Sequence, residues 1–144
     1  MRSLVPEPQP LMAIALQGLT FGTVLPGVAT HVPAADPHRA GVFEIRGPTA
    51  ATVRLEFVLP DALAHENAPA FIPLTFSAGS ASAGFGRGAG DQFLHFSPHA
   101  PLINPLSAEG RLFIRLGGSV SPGLPQQGGE YRATIYLTVY DLGS

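Results

Sequence analysis

The chain predicts an all-β fold, an antiparallel immunoglobulin-like β-sandwich with an extended N-terminal arm. Three observations lead there. Fifteen prolines and seventeen glycines are spread along all 144 residues, which disfavours long helices and favours short strands joined by turns. Several short runs alternate apolar and polar residues. The strongest lies near the C-terminus, where Tyr131, Ala133, Ile135, Leu137 and Val139 form one face and Arg132, Thr134, Tyr136, Thr138 and Tyr140 the other. Strict period-two alternation marks a half-buried strand.

The elements follow in order. Residues 1–17 read as an N-terminal extension and residues 18–144 as the sandwich domain. The extension opens with Pro6, Pro8 and Pro10, which favour extended backbone. Leu11 to Gln17 then alternates Met12, Ile14 and Leu16 with Leu11, Ala13 and Ala15, a strand with one bulky face. Leu19 to Val24 reads as the first strand of the body, stopped by Pro26-Gly27. Val28 to Val32 is a weak second strand, and residues 33–38 are a turn. In Ala40 to Arg46, Phe43 and Ile45 are expected to face inward.

Ala51 to Leu59 sets Val53, Leu55, Phe57 and Leu59 against Thr52, Arg54, Glu56 and Val58. Residues 61–69 are expected to be loop, with a helical turn at Ala62 to Glu66. Phe71 to Phe76 is strand-like, and its Pro73 suggests an edge or a bulge. Residues 77–90 form a Ser/Ala/Gly tract. Phe93 to Phe96 is a short strand, 97–110 a proline-broken loop, Arg111 to Leu116 a strand, and 117–129 a loop before the final strand. Seven to nine strands result.

Composition bounds the function. A chain of 144 residues is one domain, able to bury roughly 70% of its unfolded surface. Charged residues are only 12%, about half the usual share, which suits a surface covered by partners. The net charge of −2 gives no electrostatic case for nucleic acid. No cysteine is present, which excludes disulfides, thiolate metal sites and cysteine catalysis. All eight basic residues are arginine, which excludes Schiff-base chemistry and lysine-linked polymerisation. No signal peptide is visible, and the apolar run Leu11 to Leu16 is too short to span a membrane.

Candidate chemistry is sparse. His95 and His99 have H-x3-H spacing, but Pro98 forbids the helix that would place both imidazoles on one face. His31, His38 and His65 lie in turns with no nucleophile paired to them. Gly84 to Gly90 departs from the phosphate-loop pattern. The carboxylates are isolated. No catalytic, cofactor or metal site is expected, and the chain reads as non-enzymatic. Tyr136 and Tyr140 on the outer face of the last strand suit a ligand platform, a packing surface between subunits, or simple cross-strand pairs with Thr134 and Thr138.

The N-terminal extension reads either as a tail plus an intramolecular first strand or as a donor strand. An open sheet edge beside the terminal strand is a pairing template. An extended segment from a neighbour adds there by backbone bonds, with alternate side chains filling core pockets. Leu11, Met12, Ile14 and Leu16 are the donor residues, and Tyr131, Ala133, Ile135, Leu137 and Val139 the acceptor strand. Burying Met12, Ile14 and Leu16 is worth roughly 5–8 kcal/mol before ordering costs. The sequence stops at Ser144, so a further strand is expected from elsewhere in the chain or from another molecule. A head-to-tail contact of this kind makes a filament if its rotation does not close.

Four segments, taken together, resemble the bacterial DUF4402 domains. Leu19 to Gly27 is similar to their opening L-x-F-G-x-x-x-P-G, and Gly41 to Gly47 to their central A-x-F-x-V-x-G. Gly110 to Gly118 is similar to G-x-L-x-V-G-G, and Gly129 to Tyr140 to the closing G-x-Y-x-x-x-x-x-V-T-V-x-Y. The order agrees across roughly residues 17–141. That family is similar to spore-coat-U-type and chaperone–usher pilin domains, which are secreted, incomplete immunoglobulin-like sandwiches. The resemblance implies a pilin-like sandwich, export of a mature form to the cell surface, donor-strand polymerisation, and an assembly chaperone or usher as partner. The chain departs from the pilins in lacking cysteines and a visible signal peptide.

The expected function is a structural subunit of an extracellular, pilus-like homopolymer. The alternatives are a monomeric surface module that binds glycans through loops 77–91 and 97–110, and a phage or capsid decoration protein.

Overall fold

A computed structural model describes residues 10–86 and 93–143 of the chain. Every regular element among them is a strand. They are β1 (Met12–Gln17), β2 (Thr30–Val32), β3 (Gly41–Arg46), β4 (Thr52–Val58), β5 (Ala62–His65), β6 (Phe71–Thr75), β7 (Ala81–Gly84), β8 (Leu94–Phe96), β9 (Leu102–Pro105), β10 (Arg111–Leu116), β11 (Gly118–Val120), β12 (Tyr131–Arg132) and β13 (Tyr136–Gly143). No helix among the described residues is long and apolar enough to cross a membrane.

The strands form three antiparallel groups, in the orders β1-β3-β10-β7-β8, β12-β5-β6-β11-β2 and β13-β4-β9. The first group is one layer. The other two face it, because one buried cluster joins β3, β7 and β10 to β4 and the other joins β7 and β10 to β2, β6 and β11. The architecture is that of an all-β sandwich with one curled end.

Two apolar clusters fill it. Ile45, Val53, Leu55, Leu112 and Ile114 pack the first layer against β4 and β13. Val32, Ile72, Leu74, Leu116 and Val120 fill the curled end, where Phe21 closes over them. As expected, Ile45 is fully buried, and Phe43 turns inward to meet the Phe57 ring edge-on at 5.9 Å.

The other face of the first layer is also covered. Glu44 is only 4% exposed, and its carboxylate accepts from the Arg46 guanidinium at 2.9 and 3.2 Å. Arg111 approaches the same carboxylate at 3.6 Å. That pairing offsets the cost of burying the charge. Arg115 lies under the Phe93 ring, its guanidinium carbon 4.5 Å from the ring centroid.

Several segments differ from expectation. Leu19 to Val24 forms no strand. Gly22 and Gly27 take left-handed φ of 67° and 75°, which turn the chain out of any ladder. A backbone bond from Thr20 N–H to the Arg39 carbonyl at 2.9 Å ties its start down. Residues 62–65 pair as β5 instead of forming a helical turn. The tract 77–90, the loop 97–110 and the loop 117–129 each contain a short strand, β7, β9 and β11, and with β5 and the division of the last strand the described residues hold thirteen.

β6 is an interior strand despite Pro73. The imide nitrogen falls beyond the end of β11, where only the Pro73 carbonyl is used, by Ser121 N–H at 3.1 Å. The final strand breaks at residues 133–135, so β12 pairs with β5 and β13 with β4.

The shortest crossing between the layers takes a single residue. β10 belongs to the first layer and β11 to the second, with Gly117 between them. A Cβ on Gly117 would stand 2.2 Å from the Val32 oxygen and 2.7 Å from the Ala34 nitrogen. Gly117→Ala is therefore expected to cost about 2–4 kcal/mol in urea unfolding. Gly79→Ala, where a Cβ meets nothing within 4 Å, is the control and should stay within about 0.5 kcal/mol.

Candidate functional site

The expected donor and acceptor segments lie side by side along a seam where β1 runs next to β13, but β1 pairs with β3 and not with the expected acceptor strand. Among the described residues β1 is an edge strand of the first layer and β13 an edge strand of the facing one. The two edges approach each other without forming a ladder. β1 is hydrogen-bonded to β3 of its own chain, with Met12 opposite Arg46, Ala13 opposite Ile45, Ile14 opposite Glu44 and Ala15 opposite Phe43.

Residues directly opposite in a ladder share a face. Ala13 and Ala15 thus turn toward the sandwich interior and are still exposed. Met12 and Ile14 lie on the outer side with Arg46 and Glu44. Leu16 sits at a register shift between Ala15 and Gln17 and is half-buried. Leu11 packs against the core cluster below it. The bulky side chains predicted as core anchors and the side chains that face the core are therefore different sets, Leu11 excepted.

The acceptor face follows its predicted alternation. Leu137 and Val139 pack on one core cluster, Tyr131 and Ile135 on the other, and Ala133 is exposed at the break in the strand. At that break the seam widens into a cleft of about 820 Å³. Loop 19–24 forms one wall and residues 126–133 the other. Leu63, Ile72, Leu74 and Val120 form the apolar floor. Clefts of this size hold small molecules or short peptide segments.

The second wall is held by a polar clasp. Gln126 accepts from Gly123 N–H at 2.8 Å and donates to the Phe71 carbonyl at 3.1 Å and the Tyr131 hydroxyl at 3.0 Å. The Tyr131 hydroxyl in turn donates to the Gln127 carbonyl. His65 completes the clasp. Its Nδ1 accepts from Asn67 and Ala68 N–H at 2.9 and 3.0 Å, which leaves the proton on Nε2 to donate to the Gly128 carbonyl at 2.8 Å. The imidazole also meets the Tyr131 ring edge-on at 5.1 Å. Arg132 adds ion pairs to Glu66 and Glu130 at 3.4 Å, both exposed and worth little.

Sequence reasoning placed His65 in a turn and missed this role. Gly129 is the available signal, because a Cβ there would occupy the place of the ring.

The other histidines serve locally. His31 Nδ1 is 2.7 Å from the Ser119 hydroxyl, and His99 Nε2 is 2.6 Å from the Phe76 carbonyl. Among the described residues no group of three or more His, Asp or Glu forms a cation site. Pinning of the loop that precedes β3 falls to Asp36, whose carboxylate accepts from His38 and Arg39 N–H at 2.9 and 3.0 Å. The first of those bonds is the main reason that its pKa lies below the ordinary carboxylate value. Part of the Gly84 to Gly90 motif and of the glycan-loop expectation at 77–91 falls outside the described residues.

Comparison with family models, with curated proteins and with solved structures returned no match.

A direct test of the clasp is Gly129→Ala. Gly129 has φ 131°, and a Cβ there would stand 2.2 Å from His65 Nε2. The variant is expected to lose about 1–3 kcal/mol by strain and by breaking the imidazole bond, read as a lower thermal midpoint.

Proposed function

We propose that this chain is a structural subunit of an extracellular, pilus-like filament, built from copies of itself that exchange their N-terminal strand. The observation that carries the reading is the seam. β1 is an edge strand with its interior-facing residues exposed, it lies beside the unladdered edge of β13, and the seam opens into the cleft.

Polarity supports a head-to-tail arrangement. β1 starts at the end of the sandwich where Leu11 lies near Gly47, and it finishes at Gln17 close to loop 19–24, which lines the cleft. A β1 that keeps this register on the next copy's β3 ends with Gln17 beside that copy's cleft, from where residues 18–29 lead back to its own body. A strand swapped in this way keeps the same ladder on β3 and loses little, because both forms make identical bonds. The segment after β1 provides the hinge. Gly18 stands in open space, and residues 18–29 have no ladder to break.

The pairing is a strand addition. Backbone bonds supply affinity, and the heterologous contact extends indefinitely when its rotation does not close. An assembly chaperone that covers the open edge before exchange, and export of a mature form to the cell surface, belong to the same reading. The low charge fraction, 12%, fits a chain whose surface is partly covered by neighbours.

Negative-stain microscopy of the full chain beside a chain lacking residues 1–17 tests the proposal. Filaments from the full chain alone are expected. Filaments from both would remove the N-terminal strand from the mechanism. Monomers from both would favour a ligand-binding module.

A further inference from the structure

The outer face of the β9-β4-β13 sheet is apolar, aromatic and uncovered. Val58, Ile103, Tyr136 and Tyr140 are exposed by between 47% and 61%. In register, Tyr136 stands opposite Val58, Thr138 opposite Glu56, and both Tyr140 and Ile103 opposite Arg54. At the centre of the face, Arg54 and Glu56 form an ion pair at 2.5 Å, half-exposed on β4. We propose that this face is a self-association surface, on which a second copy of the chain packs face to face with its β4 antiparallel.

Charge selects both the occupant and the orientation. The ion pair leaves the central strip without net charge and with no basic rim, so neither a nucleic acid nor an anionic membrane is drawn to it. A second copy is, because the strip is complementary to itself. Face-to-face pairs have their two-fold axis in the interface plane. An axis along β4 would stack Arg54 on the second copy's Arg54, which repels. An axis across the strands places Arg54 against the second copy's Glu56 and Glu56 against its Arg54. The same operation lays Tyr140 over the second copy's Thr138, so aromatic and apolar groups cover the pair from both sides.

Size sets the strength. β4 is seven residues long, about 24 Å, and three strands are about 14 Å across. That footprint is small against the roughly 800 Å² per partner of a stable interface, so two free copies associate weakly. Copies arrayed in a filament present many such faces at once, and lateral pairing of filaments follows by avidity. The inference stands on β4, β9 and β13 and does not require strand exchange.

Two charge-reversed full-length variants test it by sedimentation velocity over a concentration series. Arg54→Glu carries two acids on the strip and Glu56→Arg two bases, so each repels its own copies. Each alone is expected to associate at least about tenfold more weakly than the natural chain. A one-to-one mixture is expected to recover association, because every facing pair is then of opposite sign. Tyr136→Ser with Tyr140→Ser is expected to abolish association. Thermal midpoints establish that each variant is folded, and the mixture recovers only if both are. Unchanged association of either single variant, or a mixture that does not recover, overturns the proposal. If strand exchange fails, the same mixing pattern is still seen in the monomer–dimer range. If this face is silent, single unbundled filaments remain.

Discussion

The fold rests on β10 and its passage into β11. Leu112 and Ile114 lie in one core cluster and Leu116 in the other, and each is fully buried. On the reverse face of the same strand, Phe113 and Arg115 are 7% exposed. A strand buried on both sides belongs in the middle of its sheet, and β10 lies between β3 and β7. Two residues later the chain joins the opposite layer, and Gly117 makes that passage possible because the backbone of Val32 and Ala34 occupies the space of a side chain. Both cores are thus tied to one continuous stretch. The periphery is held less firmly.

That gradient gives the seam its meaning. β1 adds a ladder to β3 but contributes only alanine toward the interior, with Leu11 the one residue of the segment packed on a core cluster. Dispersion and apolar burial are small there, so its backbone bonds carry most of its attachment. Such bonds are the same in cis and in trans. The strand is therefore the element whose exchange costs least, and the unladdered edge of β13 and the clasped cleft lie beside it. Gln126, Tyr131 and His65 keep that cleft's wall in place while the strand course is interrupted.

Much of the architecture was legible in the residues. Alternation identified β3, β4, β10 and most of β13, and the inward faces of Phe43 and Ile45 came with it. Legibility failed where the pattern was too short or contradicted by neighbours. Leu19 to Val24 alternates as a strand does, but Gly22 and Gly27 turn it into a covering loop. Ala62 to His65 looks helical in isolation and becomes β5 because β6 and β12 pair with both its sides. β7 and β11 are small-residue strands, with propensity too low to read locally and positions set by partners already in the core. At the site, the core-facing side of Tyr131, Ile135, Leu137 and Val139 was legible from period two, and Ala133 at the strand break was not. The phase of β1 was not, because it depends on how the strand registers on β3, and one residue of slip exchanges its faces. The His65 clasp was hidden for a similar reason, since it joins positions far apart in sequence.

The central claim is that β1 changes chains without changing partners. Met12 and Arg46 are opposite each other in the ladder, both are accessible, and the chain has no other cysteine to interfere with a pair placed there. Directly opposed ladder positions are within disulfide reach. Met12→Cys combined with Arg46→Cys, oxidised under assembly conditions and run on a non-reducing gel, reports whose β3 each β1 occupies. Strand exchange predicts a covalent ladder of multimers that collapses to one band on reduction. A single band at the monomer mass from material that is nonetheless filamentous would place β1 on its own chain and contradict the account.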